Sequence, residues 1–264
     1  MRLSQLLRQP LKKASLRGAF FYVLLFSGAL NAVCLVPEQG QLQPHSIEKI
    51  YDGDTVHTVG GEKVRLVGFN TPEVGRGQRP AEPRAKRATQ RLRALLGVPP
   101  KIVLKGATEQ RDRYGRVLAY GFTPQGEDIA ATLIEEGLAF AIVVPPNLWN
   151  SDCYVGAQQQ AREAGHGVWG HSAYQPQPLG QIHHGGFQRI RGRVKRVDWS
   201  NEWLWLDMEQ DVSAQIKHSD LPYFEGQLDL EALQGKVITL QGWLVPRKRG
   251  YRLRLRHPSA IKVE

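Results

Sequence analysis

An uncharged stretch at residues 170–186, rich in proline, glycine and glutamine, places the strongest constraint on how this chain can fold. It has neither the period of two of a strand nor the period of 3.6 of a helix, and its composition is typical of a linker. We therefore predict a linker at residues 171–186 between two globular domains, at residues 46–170 and 187–264. A chain of 264 residues is long enough for both.

The first domain mixes short strands with helices. Alternation of apolar and polar residues predicts two hairpin strands within Lys49–Leu66 and further strands at Lys101–Leu104 and Val117–Phe122. Helices are predicted at Arg84–Leu96, at Asp128–Glu136 and at Ser151–Glu163, with Ser151 as the N-cap of the third. These short strands and three helices suit a closed barrel, so we predict an α+β fold built on an OB-type five-stranded barrel.

The second domain is predicted to be all-β. Period-two alternation marks strands at Ile190–Val197, Trp203–Met208, Lys236–Val245 and Tyr251–Leu255. A small OB-like barrel would close these strands, with Trp203 and Trp243 interpreted as core residues. The basic hairpin near Arg249 has two interpretations that remain open: it binds nucleic acid, or it is a solvated edge whose charges prevent strand pairing.

The first 36 residues are predicted to be a targeting segment. Five basic residues precede a charge-free apolar run at Ala19–Val36, and no acidic residue occurs before Glu38. This pattern fits a signal peptide cleaved near Ala32, or an uncleaved membrane anchor, and either would export the rest of the chain to the periplasm or the extracellular space.

Charge and cysteine content set looser limits. The chain has 35 basic and 25 acidic residues, and removing the five basic residues of the leader leaves a net charge of 30 − 25 = +5. Such a mildly basic balance permits nucleic-acid binding without implying it. Cys34 and Cys153 form no metal-binding motif, and we interpret Cys153 as a small buried residue, with a disulfide to Cys34 as the alternative.

Three short motifs carry the chemistry: Asp52–Thr55, Arg65–Glu73 and Asp112–Arg116. Hydrolysis of a phosphodiester needs positive charge at the phosphate, which a planar guanidinium supplies best. Hard divalent cations prefer carboxylate, amide and carbonyl oxygens, as found in Asp54 and Asn70. Glu73 is then left to act as a general base or to orient water.

The order and spacing of these motifs resemble the thermonuclease, or staphylococcal-nuclease-like, domain across Ser46–Trp169. The resemblance implies that Asp54, Asn70 and Thr71 bind calcium, the last through its carbonyl. It also implies that Arg65 and Arg116 hold the scissile phosphate, with Glu73 as the catalytic carboxylate. Arg113 and Tyr114 would contact a neighbouring phosphate of the substrate.

One departure from the family affects the metal. Asn70 stands where the best-known member has an aspartate, which removes a formal charge from the site and makes another divalent cation an alternative to calcium.

These observations predict an exported, metal-dependent nuclease acting on DNA, with RNA as a second candidate substrate. Contact with a membrane is expected only if the leader is uncleaved, and the sequence identifies no protein partner. Two alternatives remain open: an envelope protein that binds nucleic acid with a weak or inactive site, and one whose second domain docks a protein.

Overall fold

The computed structural model describes residues 34–38, 42–75 and 77–264. The predicted leader at residues 1–36 therefore lies outside the described residues, apart from its last three. Within the described residues, no helix combines the length and apolar character that a membrane span requires. The described residues belong to one compact unit.

The first domain contains the predicted five-stranded barrel. Its elements are β1 (Pro44–Ile50), β2 (Thr55–Thr58), β3 (Lys63–Leu66), β4 (Phe69–Asn70), α1 (Ala85–Leu96), β5 (Lys101–Arg111), β6 (Val117–Phe122), α2 (Ile129–Glu135), β7 (Phe140–Ala141) and α3 (Ser151–Glu163). The barrel closes in the order β1-β2-β3-β6-β5, with β3 and β6 parallel, and β4 pairs with β7. The prediction of an OB-type barrel with helices is confirmed.

The helices form where the sequence predicts them, because each has an apolar face and local end signals. In α1 the residues Ala88, Leu92 and Leu96 are fully or almost fully buried. Asp128 caps α2, since its side chain accepts a hydrogen bond from the Ala131 amide at 3.1 Å. Both helices pack on the barrel and so fix the loops that lead to the motifs.

The cap of α3 differs from the prediction. Asn150, with a φ of 59°, precedes the helix and Ser151 is its first residue. The Asn150 side chain is bonded elsewhere: its amide donates to the Leu35 carbonyl at 2.8 Å and accepts from the Leu35 amide at 2.9 Å. Asparagine tolerates the left-handed conformation that this bend requires.

A disulfide joins Cys34 to Cys153, so the interpretation of Cys153 as a simple buried residue was wrong. The bond spans 119 positions and fastens the segment 34–38 to α3, beside the Asn150 hydrogen bonds. Sequence spacing did not reveal the pair because the two cysteines are distant in sequence and meet only after the barrel has folded.

The second domain is also a closed barrel. Its strands are β8 (Gln177–Pro178), β9 (Gly186–Trp199), β10 (Trp203–Met208), β11 (Val212–Lys217), β12 (Val237–Pro246), β13 (Tyr251–Leu255) and β14 (Ile261–Val263). The long strand β9 pairs with both β10 and β12, which closes the ring β9-β10-β11-β13-β12, with β11 and β13 parallel. This confirms an all-β, OB-like second domain.

The tryptophans of this barrel were predicted in its core, and that prediction was wrong. Trp203 is half-buried and Trp243 is 42% exposed, while the alternate residues Leu204 and Leu244 are buried. Compact aliphatic side chains fill the interior, and the rings lie on the outer face.

The segment 171–186 joins the two barrels and packs against both. Leu179 and Ile182 belong to the core of the second barrel, and the Tyr174 hydroxyl donates to the Pro83 carbonyl at 2.6 Å. The Phe140 ring lies 5.2 Å from the rings of both Trp169 and Phe187. The barrels therefore share a packed aromatic junction.

Candidate active site

The acidic turn lies between β1 and β2. The buried Asp54 side chain accepts hydrogen bonds through Oδ2 from the Thr71 amide at 2.8 Å and from the Thr71 hydroxyl at 3.0 Å. A Cβ at Gly53 would come within 2.6 Å of the Thr71 side chain, so only glycine allows this close approach. The first two motifs are thus locked together.

A second carboxylate lies in the same turn. Asp52 is buried and its Oδ1 accepts a hydrogen bond from the Asp54 amide at 3.1 Å. Burial and the neighbouring Asp54 carboxylate raise the pKa of Asp52 to about 7. Two adjacent buried carboxylates make the turn a place where an additional positive charge is stabilised.

Arg65 on β3 extends into this group of oxygens. Its Nη2 donates to Asn70 Oδ1 and to the Phe69 carbonyl, both at 3.1 Å, and lies 3.2 Å from Asp54 Oδ2, while Nη1 bonds the Leu66 carbonyl. The fold therefore brings Arg65 together with two of the predicted metal ligands.

Gly68 allows the chain to turn between β3 and β4. Its φ is 90°, and a Cβ there would lie 2.4 Å from the Tyr154 ring. The sharp path between the strands is what returns Asn70 towards Arg65.

Arg116 is held by the turn that precedes β6. Asp112 accepts hydrogen bonds from the backbone amides of Tyr114 at 2.9 Å and Arg116 at 3.0 Å, and its Oδ2 lies 2.6 Å from Arg116 Nε. Burial raises the pKa of Asp112, but these hydrogen bonds and the Arg116 charge outweigh it and hold the pKa below its usual value. The ion pair with Asp112 is made by Arg116 Nε and not by a terminal nitrogen.

Tyr114 projects from the same turn and is 68% exposed. The Arg113 guanidinium lies 4.8 Å from the centre of its ring and that of Arg116 lies 5.6 Å away. An aromatic face flanked by two cations is suited to a base and its phosphate.

Two clefts are lined by the predicted catalytic and substrate-binding residues, and Arg116 lines both, whereas the predicted metal ligands Asp54, Asn70 and Thr71 line neither. The smaller, of about 340 Å³, is lined by Asp52, Thr55, Lys63, Glu73, Val74, Arg79 and Arg116. The larger, of about 420 Å³, includes Arg65, Arg113, Tyr114 and Arg116. Arg116 thus shares one cleft with Glu73 and the other with Arg65.

The exposed Glu73 sits on a closed loop. Its amide donates to Glu82 Oε2 and its carbonyl accepts from the Glu82 amide, both at 2.9 Å. Glu82 therefore holds the backbone that carries Glu73. Nothing in the spacing of the motif indicated this residue.

The oxygens around the acidic turn fit a hard cation by type. They are the Asp52 and Asp54 carboxylates, the Asn70 amide and the Thr71 carbonyl, all on buried residues. No cluster of three or more His, Cys, Asp or Glu side chains suited to a metal occurs in the described part of the chain.

Sequence reasoning missed three residues of this site: Asp52 and Asp112, which it left within their motifs without a role, and Glu82. Asp112 carried a usable signal, because an aspartate that opens a turn before Gly115 is typical of side-chain bonds to the following amides. The structural positions leave the individual catalytic roles as predictions.

Comparison with known proteins supports the fold and the class of protein. The sequence model of the family described as staphylococcal nuclease homologue matches residues 63–171. Endonuclease YncB of Bacillus subtilis is 30% identical over 52% of this chain and 66% of its own length, and the thermonuclease of Staphylococcus hyicus is 31% identical over 48% and 76%. The succinoglycan biosynthesis protein ExoI of Rhizobium meliloti is 33% identical over 53% and 72%.

The chain therefore belongs to the staphylococcal-nuclease family, and the predicted membership is confirmed. The prediction of a hydrolase of phosphodiester bonds is confirmed at the level of this class. The match ends at residue 171 and leaves the second barrel without an assigned role.

Proposed function

We propose that the chain is an exported, metal-dependent nuclease that cleaves DNA, with RNA as a further substrate. The observation that carries this proposal is that Arg116 lines both clefts, with Glu73 in one and Arg65 in the other. A phosphodiester bound at Arg116 would border one cleft with a carboxylate and another with a second guanidinium. These are groups that attack by water on the phosphorus would use.

Each side chain has a defined part in the mechanism. Glu73 accepts a proton from the attacking water or orients that water. Arg116 neutralises the charge that develops on the phosphate oxygens, and Asp112 positions it. Arg65 supplies a second guanidinium at the phosphate, so that positive charge is already in place when the transition state forms.

The acidic turn is proposed to hold the cation. Asp54, Asn70 and the Thr71 carbonyl would be its protein ligands, with Asp52 as a nearby charge. Calcium, or another divalent cation that accepts an amide in place of a carboxylate, would supply Lewis-acid polarisation of the phosphate.

Export is proposed from the basic and apolar leader, and the disulfide supports it. Structural disulfides persist in oxidising compartments and are rare in reducing ones. A bond between Cys34 and Cys153 is therefore consistent with a periplasmic or extracellular site of action.

The test is cleavage of a labelled single-stranded oligonucleotide by the wild-type chain and two variants. We expect Glu73→Gln and Arg116→Ala to lower kcat by about 10²- to 10³-fold. Matched controls are Glu163→Gln and Arg162→Ala, which alter exposed side chains of α3 outside both clefts and should retain the wild-type rate. A loss below about tenfold in both site variants would overturn the assignment.

A specific observation favours one alternative. Arg65 is bonded to Asp54 and Asn70, the oxygens that a cation would use. If this arrangement persisted, the protein would bind nucleic acid with a weak or inactive site. Salt-dependent binding of the oligonucleotide without turnover in any divalent cation would establish that alternative.

A further inference from the structure

The larger cleft is shared between the two barrels. Besides Arg65, Arg113, Tyr114 and Arg116, its lining includes Trp243 on β12 and Arg256, which follows β13. Both residues lie outside the part of the chain that matches the nuclease family. The second barrel therefore contributes side chains to the wall of the proposed active-site cleft.

Trp243 presents a ring to this cleft. It is 42% exposed, and the Phe187 ring supports it from the junction side at a centroid distance of 5.0 Å in an edge-on arrangement. Stacking of a flat ligand on such a ring costs little conformational entropy, because the side chain is already held in place while it remains exposed.

Arg256 is held in place as well. Asp220, which is 2% exposed, pairs with Arg256 at 3.1 Å and with Arg254 at 2.9 Å. One buried carboxylate thus orients two guanidiniums and neutralises only one of them.

The cleft as a whole has an excess of positive charge. Its lining includes four arginines and two carboxylates, Glu109 and Asp112, which leaves a net charge of 4 − 2 = +2. An adjoining cavity of about 300 Å³ shares Arg113, Trp243 and Arg256 with it and adds Arg254. Basic side chains therefore continue from the nuclease site onto the second barrel.

Aromatic rings accompany these charges. Tyr114 lies at the nuclease end and Trp243 at the junction, and beyond them Arg254 lies 5.4 Å from the Trp203 ring centre. Alternating cations and exposed rings are the usual means of holding single strands, since every base has a face that can stack. In a duplex these faces are stacked within the helix and are not accessible to a side chain.

We infer that this groove binds single-stranded nucleic acid, which runs from Arg116 past Tyr114 onto Trp243 and the Arg254–Arg256 pair. The second barrel is then a substrate-binding subsite that favours longer, unpaired strands. The inference rests on the proposed nuclease function, since it assumes that the strand enters at the nuclease site.

The test compares a long and a short substrate in the full chain. The long substrate is a fluorescein-labelled oligothymidylate of about twelve nucleotides, within the range of site sizes of OB-type domains, and the short one is a thymidine dinucleotide. For Trp243→Ala we expect the ratio of kcat/KM for the long substrate to that for the short one to fall about tenfold. Trp243→Phe keeps a ring and should recover most of that ratio.

Trp199→Ala is the matched control. Trp199 is 50% exposed, lies on the same barrel and lines neither the cleft nor the adjoining cavity. In Trp199→Ala the ratio of kcat/KM for the long substrate to that for the short one should equal the wild-type ratio. An unchanged ratio in Trp243→Ala, with both substrates cleaved, would overturn the inference and leave the nuclease function intact.

Binding separates the two proposals. In Glu73→Gln, fluorescence anisotropy with the same oligothymidylate should show a Kd about tenfold weaker when Trp243→Ala is added. A duplex of the oligothymidylate with oligodeoxyadenylate should bind more weakly than the single strand. If the wild type cleaves neither substrate, the proposed nuclease function is wrong. The binding measurement still tests whether the groove binds single-stranded nucleic acid. Equal binding of single strand and duplex, unaffected by Trp243→Ala, would overturn the inference.

Discussion

The two barrels have the same topology and differ in what their loops carry. Each closes in the order first-second-third-fifth-fourth strand, with the third and fifth strands parallel. In the first barrel the turn between the first two strands holds Asp52 and Asp54. In the second barrel the corresponding turn contains Ser200, whose hydroxyl donates to the Trp203 carbonyl at 3.1 Å and simply closes the hairpin.

The two barrels also differ in what their buried carboxylates contact. After the third strand of the first barrel, Asn70 and Thr71 return to the acidic turn. After the third strand of the second barrel, Asp220 is buried between Arg254 and Arg256. A carboxylate that is paired with two arginines is not available to a metal cation. The same fold therefore carries the proposed hydrolytic site in the first barrel and positions two arginines in the second.

The largest expected effect separates the arginines of the two barrels. Arg116→Ala should lower kcat by about 10²- to 10³-fold, because it removes charge from the transition state. Arg256→Ala should instead raise KM for a long oligonucleotide, since in the proposed groove Arg256 would contact the substrate away from the reacting phosphate. Steady-state kinetics on both variants checks this, and equal losses of kcat would contradict the division of roles.

The next effect concerns stability, because the disulfide fastens the segment 34–38 to α3 of the first domain. Cys34→Ser should lower the free energy of unfolding by about 2–4 kcal/mol, since the disulfide closes a long loop. Urea denaturation of the oxidised wild type and the variant measures the difference. The reduced wild type is the control and should match the variant.

A smaller effect is expected from Asp112→Asn, which weakens the bond that holds Arg116. We expect Asp112→Asn to lower kcat/KM about 10- to 100-fold. Arg116→Ala should then lower kcat/KM by a smaller factor in the Asp112→Asn background than in the wild type. Because the pKa of Asp112 lies below its usual value, the carboxylate is charged throughout the assay range. The ratio of wild-type to variant rates should therefore be constant above about pH 5, and a ratio that varies there would contradict this role.

The smallest effect is expected on the outer face of the second barrel. Arg196 pairs with Asp207 at 2.9 Å and Asp198 at 3.2 Å, but its side chain is 62% exposed. Arg196→Ala should leave the midpoint of urea denaturation at its wild-type value, because exposed ion pairs are screened by water. A lower midpoint would show that the ion pairs of Arg196 contribute to stability.

Much of the fold could be predicted from alternation and end signals. The strands at Trp203–Met208, Tyr251–Leu255 and Val117–Phe122 have their predicted bounds. The strand Val212–Lys217 was missed, since Ser213 and Ala214 give a weak apolar signal. Alternation also failed to indicate which face of Trp203-Leu204-Trp205-Leu206 is buried, because both faces are apolar.

The motifs and their family resemblance placed Asp54, Arg65, Asn70 and Thr71 in one predicted site. The hydrogen bonds from Thr71 to Asp54 and from Arg65 to Asn70 were not predicted, because they join separate strands and turns of the folded barrel. The disulfide and the contribution of Trp243 to the cleft were not predictable, because they depend on how distant segments pack.

The most direct test of the central claim, that the first barrel cleaves phosphodiesters with a hard cation at the acidic turn, is a calcium titration of the cleavage rate. We would compare the wild type with Asn70→Asp. We predict no cleavage in chelator, cleavage restored by calcium, and half-saturation at a lower calcium concentration in the variant, because it adds a charged ligand. Cleavage that persists in chelator, or a variant whose calcium dependence is unchanged, would contradict this assignment of the site.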